Sequence, residues 1–186
     1  MNVVSYTLSE HRHRFAVWAA ARASQRGFTK VQKLRKALEK SGIREVLAAP
    51  ETRHLSAAEF DSLHRKWCSS IRLTLIEDGA DKESATFGRA AKLVAVYLKA
   101  IVIMSSDYDS SLGRNLHPPI DRILLQALAK SDRIKSAHQA EWGLINWTDL
   151  NESRYTNLIH QLRGVLPPNA PFWTIEEYWE PSKVGR

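Results

Sequence analysis

The run "AAKLVAVYLKAIVIM", residues 90–104, constrains the fold more than any other stretch of the chain. Only Lys92 and Lys99 interrupt its apolar character. A helix that is apolar on nearly every side is stable in water only when other elements surround it. The run also falls short of the roughly 18–20 residues needed to cross a bilayer. It therefore predicts a central buried helix over about residues 84–104, in an all-α fold of about seven to eight helices packed around it.

The rest of the sequence supplies those partners. Ser9 is placed to cap a first helix through about Arg26, with Phe15, Trp18, Ala19 and Ala23 on its inner side and Gly27 as the stop. Thr29 opens a second, where Val31, Leu34 and Leu38 recur at helical spacing beside Lys30, Lys33, Lys36 and Lys40. Ser56 and Glu59 form a capping box for a third, with Phe60, Leu63, Trp67, Ile71 and Leu75 as its core stripe. Asp121 starts a helix containing Ile123, Leu124 and Leu128. Asn151 starts one whose inner face is Tyr155, Leu158, Ile159 and Leu162, ending at Gly164. In "PFWTIEEYW", Thr174 and Glu177 suggest a capping box, and Trp173 and Tyr178 a hydrophobic staple. No run alternates as a strand would.

The net charge of +7 is unevenly placed. Residues 1–76 carry fourteen Lys and Arg against six Asp and Glu, whereas residues 77–186 carry thirteen against fourteen. A basic N-terminal part favours polyanions, because neutralising phosphates releases counterions. Lys30, Lys33, Lys36 and Lys40 are the candidate contacts to nucleic acid. The opening "MNVVSYTLSEHRHR" lacks the layout of a secretory signal, and no segment suggests a membrane span. One cysteine, Cys68, can form no internal disulfide, so the expected setting is cytoplasmic. At 186 residues the chain is expected to form one domain, a basic part over 1–76 joined to a second part over 84–180.

Two features carry chemistry. Lys92 and Lys99 are seven residues apart, within about 20° of each other on one helix face, with Arg89 one turn before Lys92. A lysine walled by apolar groups has its ammonium form disfavoured, so its free amine becomes available as a nucleophile. In "GRNLHPPIDRILLQAL", residues 113–128, Pro118 and Pro119 force extended backbone ahead of a helix that Asp121 can cap.

"KLVAVYLKAIVI" followed by "HPPIDRILL" resembles the core of the helix-hairpin-helix DNA glycosylases, especially the archaeal 8-oxoguanine glycosylase/lyase branch. The resemblance spans about residues 88–128, and no Gly-rich hairpin precedes Lys99. It implies a DNA N-glycosylase/AP lyase without a cofactor. In it Lys99 is the Schiff-base lysine, Asp121 stabilises developing positive charge on a flipped nucleotide, and Arg89, Lys92 and His117 contact phosphates beside the lesion.

Two other functions compete. Arg154 with His160, and Arg133 with His138, have the spacing of the Arg and His pair of HEPN ribonucleases. Seven histidines make such spacings common by chance, so the pattern adds no support. The other is a basic helical module that binds nucleic acid or a protein partner without chemistry. It requires Lys99 and Asp121 to lie apart, or to serve only packing and capping. His11 and His13 are two apart, on nearly opposite faces of a helix, and cannot share a metal ion; no metal site is predicted.

Overall fold

A computed structural model describes residues 6–180. The expectation drawn from the first fourteen residues therefore lies partly outside the described residues.

The described residues form an all-α fold with no strand. They contain nine α-helices, with a 3-10 turn between α3 and α4 and another between α8 and α9: α1 (Leu8–Ser24), α2 (Val31–Lys40), α3 (Ile43–Ala48), α4 (Ala57–Glu77), α5 (Phe87–Leu98), α6 (Ser111–Asn115), α7 (Arg122–Lys130), α8 (Gln139–Trp142) and α9 (Glu152–Arg163). The apolar run is α5, and it packs against α1, α2, α4 and α9. Its ladder widens over Lys99–Ile103, where the Met104 amide bonds to the Lys99 carbonyl at 2.9 Å, a π-type turn. One continuous hydrophobic core runs from Ala16 to Ile175, so the basic N-terminal helices and the later ones share a single interior. No helix among the described residues is long and apolar enough to cross a membrane.

Caps form where their local chemistry is strongest. Ser56 and Glu59 close both halves of the capping box of α4. Asp121 accepts from the Leu124 amide at 3.0 Å, and Asn151 from the Arg154 amide at 2.9 Å. Phe60, Trp67, Ile71 and Leu75 are buried along α4, while Leu63 is half-buried.

Four local expectations are corrected. Thr7, not Ser9, caps α1, and the inner face of α1 is Ala16, Val17, Ala20, Ala21 and Ser24, leaving Phe15 and Trp18 exposed. The reason is steric: these small side chains let α1 lie close against α5, and two large rings in the same seam would force the helices apart. Lys30, not Thr29, precedes α2. The segment Phe172–Tyr178 is a 3-10 helix with no side-chain cap. There Thr174 donates its hydroxyl hydrogen to the Pro171 carbonyl at 2.7 Å, so it is not free to close a capping box with Glu177.

Candidate active site at Lys92 and Asp121

Two segments come together over one end of α5. At the N-terminus of α5, Thr86 caps the helix and its hydroxyl also donates to the Thr148 carbonyl, while the Gly88 amide donates to the Leu150 carbonyl at 2.9 Å. These bonds hold residues 147–150 flat against the helix. They place the Trp147 ring over Lys92, with Nζ 4.6 Å from the ring centroid. From the other side, residues 117–120, which form no helix, bring Asp121 to the same point. Lys92 Nζ then donates to Asp121 Oδ2 at 3.1 Å, and the two side chains are only 6% and 8% exposed.

Asp121 thus has two tasks. One oxygen caps α7, and the other accepts from Lys92 and from the Trp179 indole N–H at 3.1 Å. Burial pushes the Lys92 ammonium below the usual lysine range, and the Asp121 charge only partly opposes this.

Lys99 does not take this place. It forms an ion pair with Glu176, delivered by the 3-10 helix Phe172–Tyr178, and its ammonium lies 5.8 Å from the Trp179 ring centroid. Burial raises the Glu176 carboxyl, and the hydrogen bond from Lys99 opposes that rise. The two lysines seven apart on α5 therefore each meet a carboxylate, and Trp179 touches both pairs. Sequence reasoning missed Trp147, Glu176 and Trp179; the one available signal was the aromatic and acidic density of "FWTIEEYW".

The surroundings are cationic. Arg89 lies 4.6 Å from the Phe28 ring centroid, and its Nε and Nη1 are buried with no hydrogen-bond partner. Arg26 adopts a left-handed backbone at φ 38° in the turn after α1. Together with Arg122, Gln126 and Trp147 it lines a groove of about 530 Å³. Burial, and secondarily the Arg26 charge, lower the pKa of both Arg89 and Lys92.

The other sequence candidates lie elsewhere. His117 is buried in a second cluster: its Nε2 is 2.9 Å from Asp61 Oδ1, its Nδ1 is 3.2 Å from the Tyr155 hydroxyl, and Arg163 clamps Asp61 through two bonds of 2.8 Å. Burial pushes the Asp61 carboxyl up, but the Arg163 and His117 bonds outweigh it and hold the group well below the usual range. On α2, Lys36 pairs with Asp78 at 2.6 Å and Lys33 donates to the Asp78 carbonyl, while Lys30 and Lys40 are exposed. Arg154 and His160 are both exposed on α9 but line different clefts. Arg133 pairs with Glu177 and His138 with Glu141. Among the described residues no group of three or more His, Cys, Asp and Glu is placed to hold a metal ion.

Compared with protein families, with curated proteins and with solved structures, the chain matches none.

Proposed function

We propose that this protein acts on nucleic acid, with DNA as the expected substrate, as a strand-cleaving lyase of the DNA-glycosylase type, and that Lys92 rather than Lys99 is its nucleophile. One observation carries the reading: a buried lysine with a depressed pKa is hydrogen-bonded to a carboxylate at 3.1 Å beneath the Trp147 ring, and Trp147 also lines a groove with Arg26 and Arg122. Proton transfer from the Lys92 ammonium to Asp121 gives a free amine and a carboxylic acid. The amine adds to the C1′ aldehyde of an abasic sugar, and the carbinolamine takes the Asp121 proton and expels water. The resulting iminium is balanced by the Asp121 carboxylate. Loss of the C2′ proton to a base then expels the 3′ phosphate and cleaves the strand. Arg26, Arg89 and Arg122 are suited to hold the flanking phosphates.

The test is borohydride trapping on DNA carrying an abasic site or an oxidised base. The parent protein and Lys99→Gln are expected to form a covalent adduct, and Lys92→Gln none. Trapping by Lys92→Gln at the parental level defeats the reading.

A second reading is favoured by the completeness of the Asp121 contacts, since a carboxylate that caps α7 and pairs with Lys92 is fully used by the fold. It is a non-catalytic nucleic-acid-binding module, and it predicts salt-sensitive binding with no trapped adduct.

A further inference from the structure

The outward face of α1 carries two exposed aromatic rings between arginines. Its inner face is buried to 0% exposure at Ala16, Val17, Ala20 and Ala21. On the opposite side Arg12, Phe15, Trp18 and Arg22 follow one another at helical spacing, and Arg26 stands exposed in the turn that follows the helix. Phe15 is 55% exposed and Trp18 50%, with ring centroids 6.0 Å apart and planes tilted by 40°. The side chains of Arg12, Arg22 and Arg26 make no hydrogen bond or ion pair among the described residues. Two large rings left in water beside three unpaired guanidinium groups are neither a core nor a solubilising surface.

We infer that this face is a stacking platform for the unpaired bases of a nucleic-acid strand. Aromatic rings bind any base through its π face, and the cations between them follow the phosphates, a combination that does not require a sequence. Charge complementarity selects a polyanion over an apolar protein segment. Continuity selects a strand: Arg26, in the turn directly after α1, lines the groove with Arg122 and Trp147, whose ring covers Lys92. A strand whose abasic nucleotide reached Lys92 would run its neighbouring bases out along α1. The position of the platform rests on the nucleic-acid reading of the Lys92 groove. Its chemistry does not require that Lys92 react.

The test is fluorescence anisotropy of a short labelled oligothymidylate, and of a duplex of equal length, with the full-length protein. Phe15→Ser with Trp18→Ser is expected to weaken oligothymidylate binding at least about tenfold, given what one stacked base contributes. Duplex affinity should change by less than about threefold on the scale of the same contacts. Arg12→Gln with Arg22→Gln should lower the salt slope by about one to two. Both pairs lie on an exposed face, and an unchanged thermal unfolding midpoint confirms intact folding. Equal loss for both DNA forms, or no loss for either, overturns the platform. So does a fall in sedimentation coefficient on Trp18→Ser without loss of oligothymidylate binding, which would make the face a contact between copies of this chain. Oligothymidylate binding that depends on Phe15 and Trp18 in a protein that never traps borohydride supports the platform and defeats the lyase. Trapping without that dependence does the reverse.

Discussion

The Trp147 backbone crosses α5 at Gly88 so closely that a Cβ on Gly88 would stand 2.0 Å from the Trp147 carbonyl oxygen. No side chain fits there without moving the segment 147–150, which also receives the Gly88 amide and the Thr86 hydroxyl. This contact, one helical turn before Lys92, sets the ring of Trp147 over the ammonium. Gly88→Ala should therefore destabilise the protein by about 1–3 kcal/mol, the usual result of overpacking. It should also shift Trp147 toward solvent. Urea unfolding measures the first, and a red shift that is absent in a Trp147→Phe background measures the second. A variant as stable as the parent would mean that the crossing is loose.

The Lys92 and Asp121 pair makes a prediction that does not depend on catalysis. Removing one member of a buried pair strands the other charge, at about 3–5 kcal/mol. Lys92→Met should cost an amount of that order, because Asp121 retains only the Trp179 indole and the Leu124 amide. Adding Asp121→Asn to the same chain should recover much of the loss, since asparagine keeps an oxygen to cap α7 and carries no charge. A double-mutant cycle in urea should show coupling above about 1 kcal/mol. Additive effects would place the two groups out of contact.

Lys99→Gln provides the contrast. Lys99 is 35% exposed and Glu176 16%, so solvent reaches the ammonium and screens part of their attraction. Because glutamine can still hydrogen-bond Glu176, the substitution is expected to cost less than Lys92→Met, by about 1–2 kcal/mol. A loss comparable to that of Lys92→Met would show that Lys99 and Glu176, not Lys92 and Asp121, anchor this end of the molecule.

These two lysines also mark how far the sequence can be read. Their spacing of seven correctly places both on one face of the central helix, and the prolines before Asp121 correctly mark a helix start. Nothing local says which lysine the aspartate meets. That depends on where residues 172–178 return, 77 residues after Lys99, carrying Glu176 to one of them. The inner face of α1 departs from the hydrophobicity pattern for a related reason. Ranking side chains by hydrophobicity puts Phe15 and Trp18 inside, whereas the close approach of α1 and α5 selects alanine and serine. The cluster of Asp61, His117 and Arg163 left no local signal, because Asp61 and Arg163 are 102 residues apart. By contrast the caps at Ser56, Asp121 and Asn151 act within four residues, and all three were legible.

Acid should unfold this protein from a point above the carboxylate range. Burial holds His64 far below the usual imidazole range, and it lowers His117 too, against the opposing bond to Asp61. His64 lies among Cys68, Tyr155 and Phe60, with Asp61 and Arg163 beyond His117. Both imidazoles are neutral in the folded chain and take up a proton when it unfolds. Their contribution is complete above the unfolded value of about 6.5 and is lost as pH falls below it, by up to about 1.4 kcal/mol per pH unit for each group. Unfolding free energy should decline between pH 7 and 5. His64→Phe, which preserves an aromatic ring beside Tyr155, should flatten that decline by up to half. An unaltered slope would exclude His64 as its source.

The clamp on Asp61 explains how a carboxylate stays ionised beside two buried imidazoles. Arg163 meets both Asp61 oxygens at 2.8 Å, and its Nη2 also lies 3.2 Å from His117 Nε2. Its positive charge therefore lowers the pKa of Asp61 and of His117 together, although burial is the larger cause for each, acting upward on the first and downward on the second. Arg163→Met should let both values rise. Asp61 loses two charge-assisted bonds, and with a third of its side chain exposed the cost should be about 1–3 kcal/mol. Arg163→Lys should recover little of it, because one ammonium cannot span two oxygens as the planar guanidinium does. The sharper readout is the His117 ring: its NMR titration midpoint should move upward in Arg163→Met, toward the ordinary imidazole value. A downward shift would mean that Asp61 turns away once its clamp is gone and that His117 is then left with burial alone.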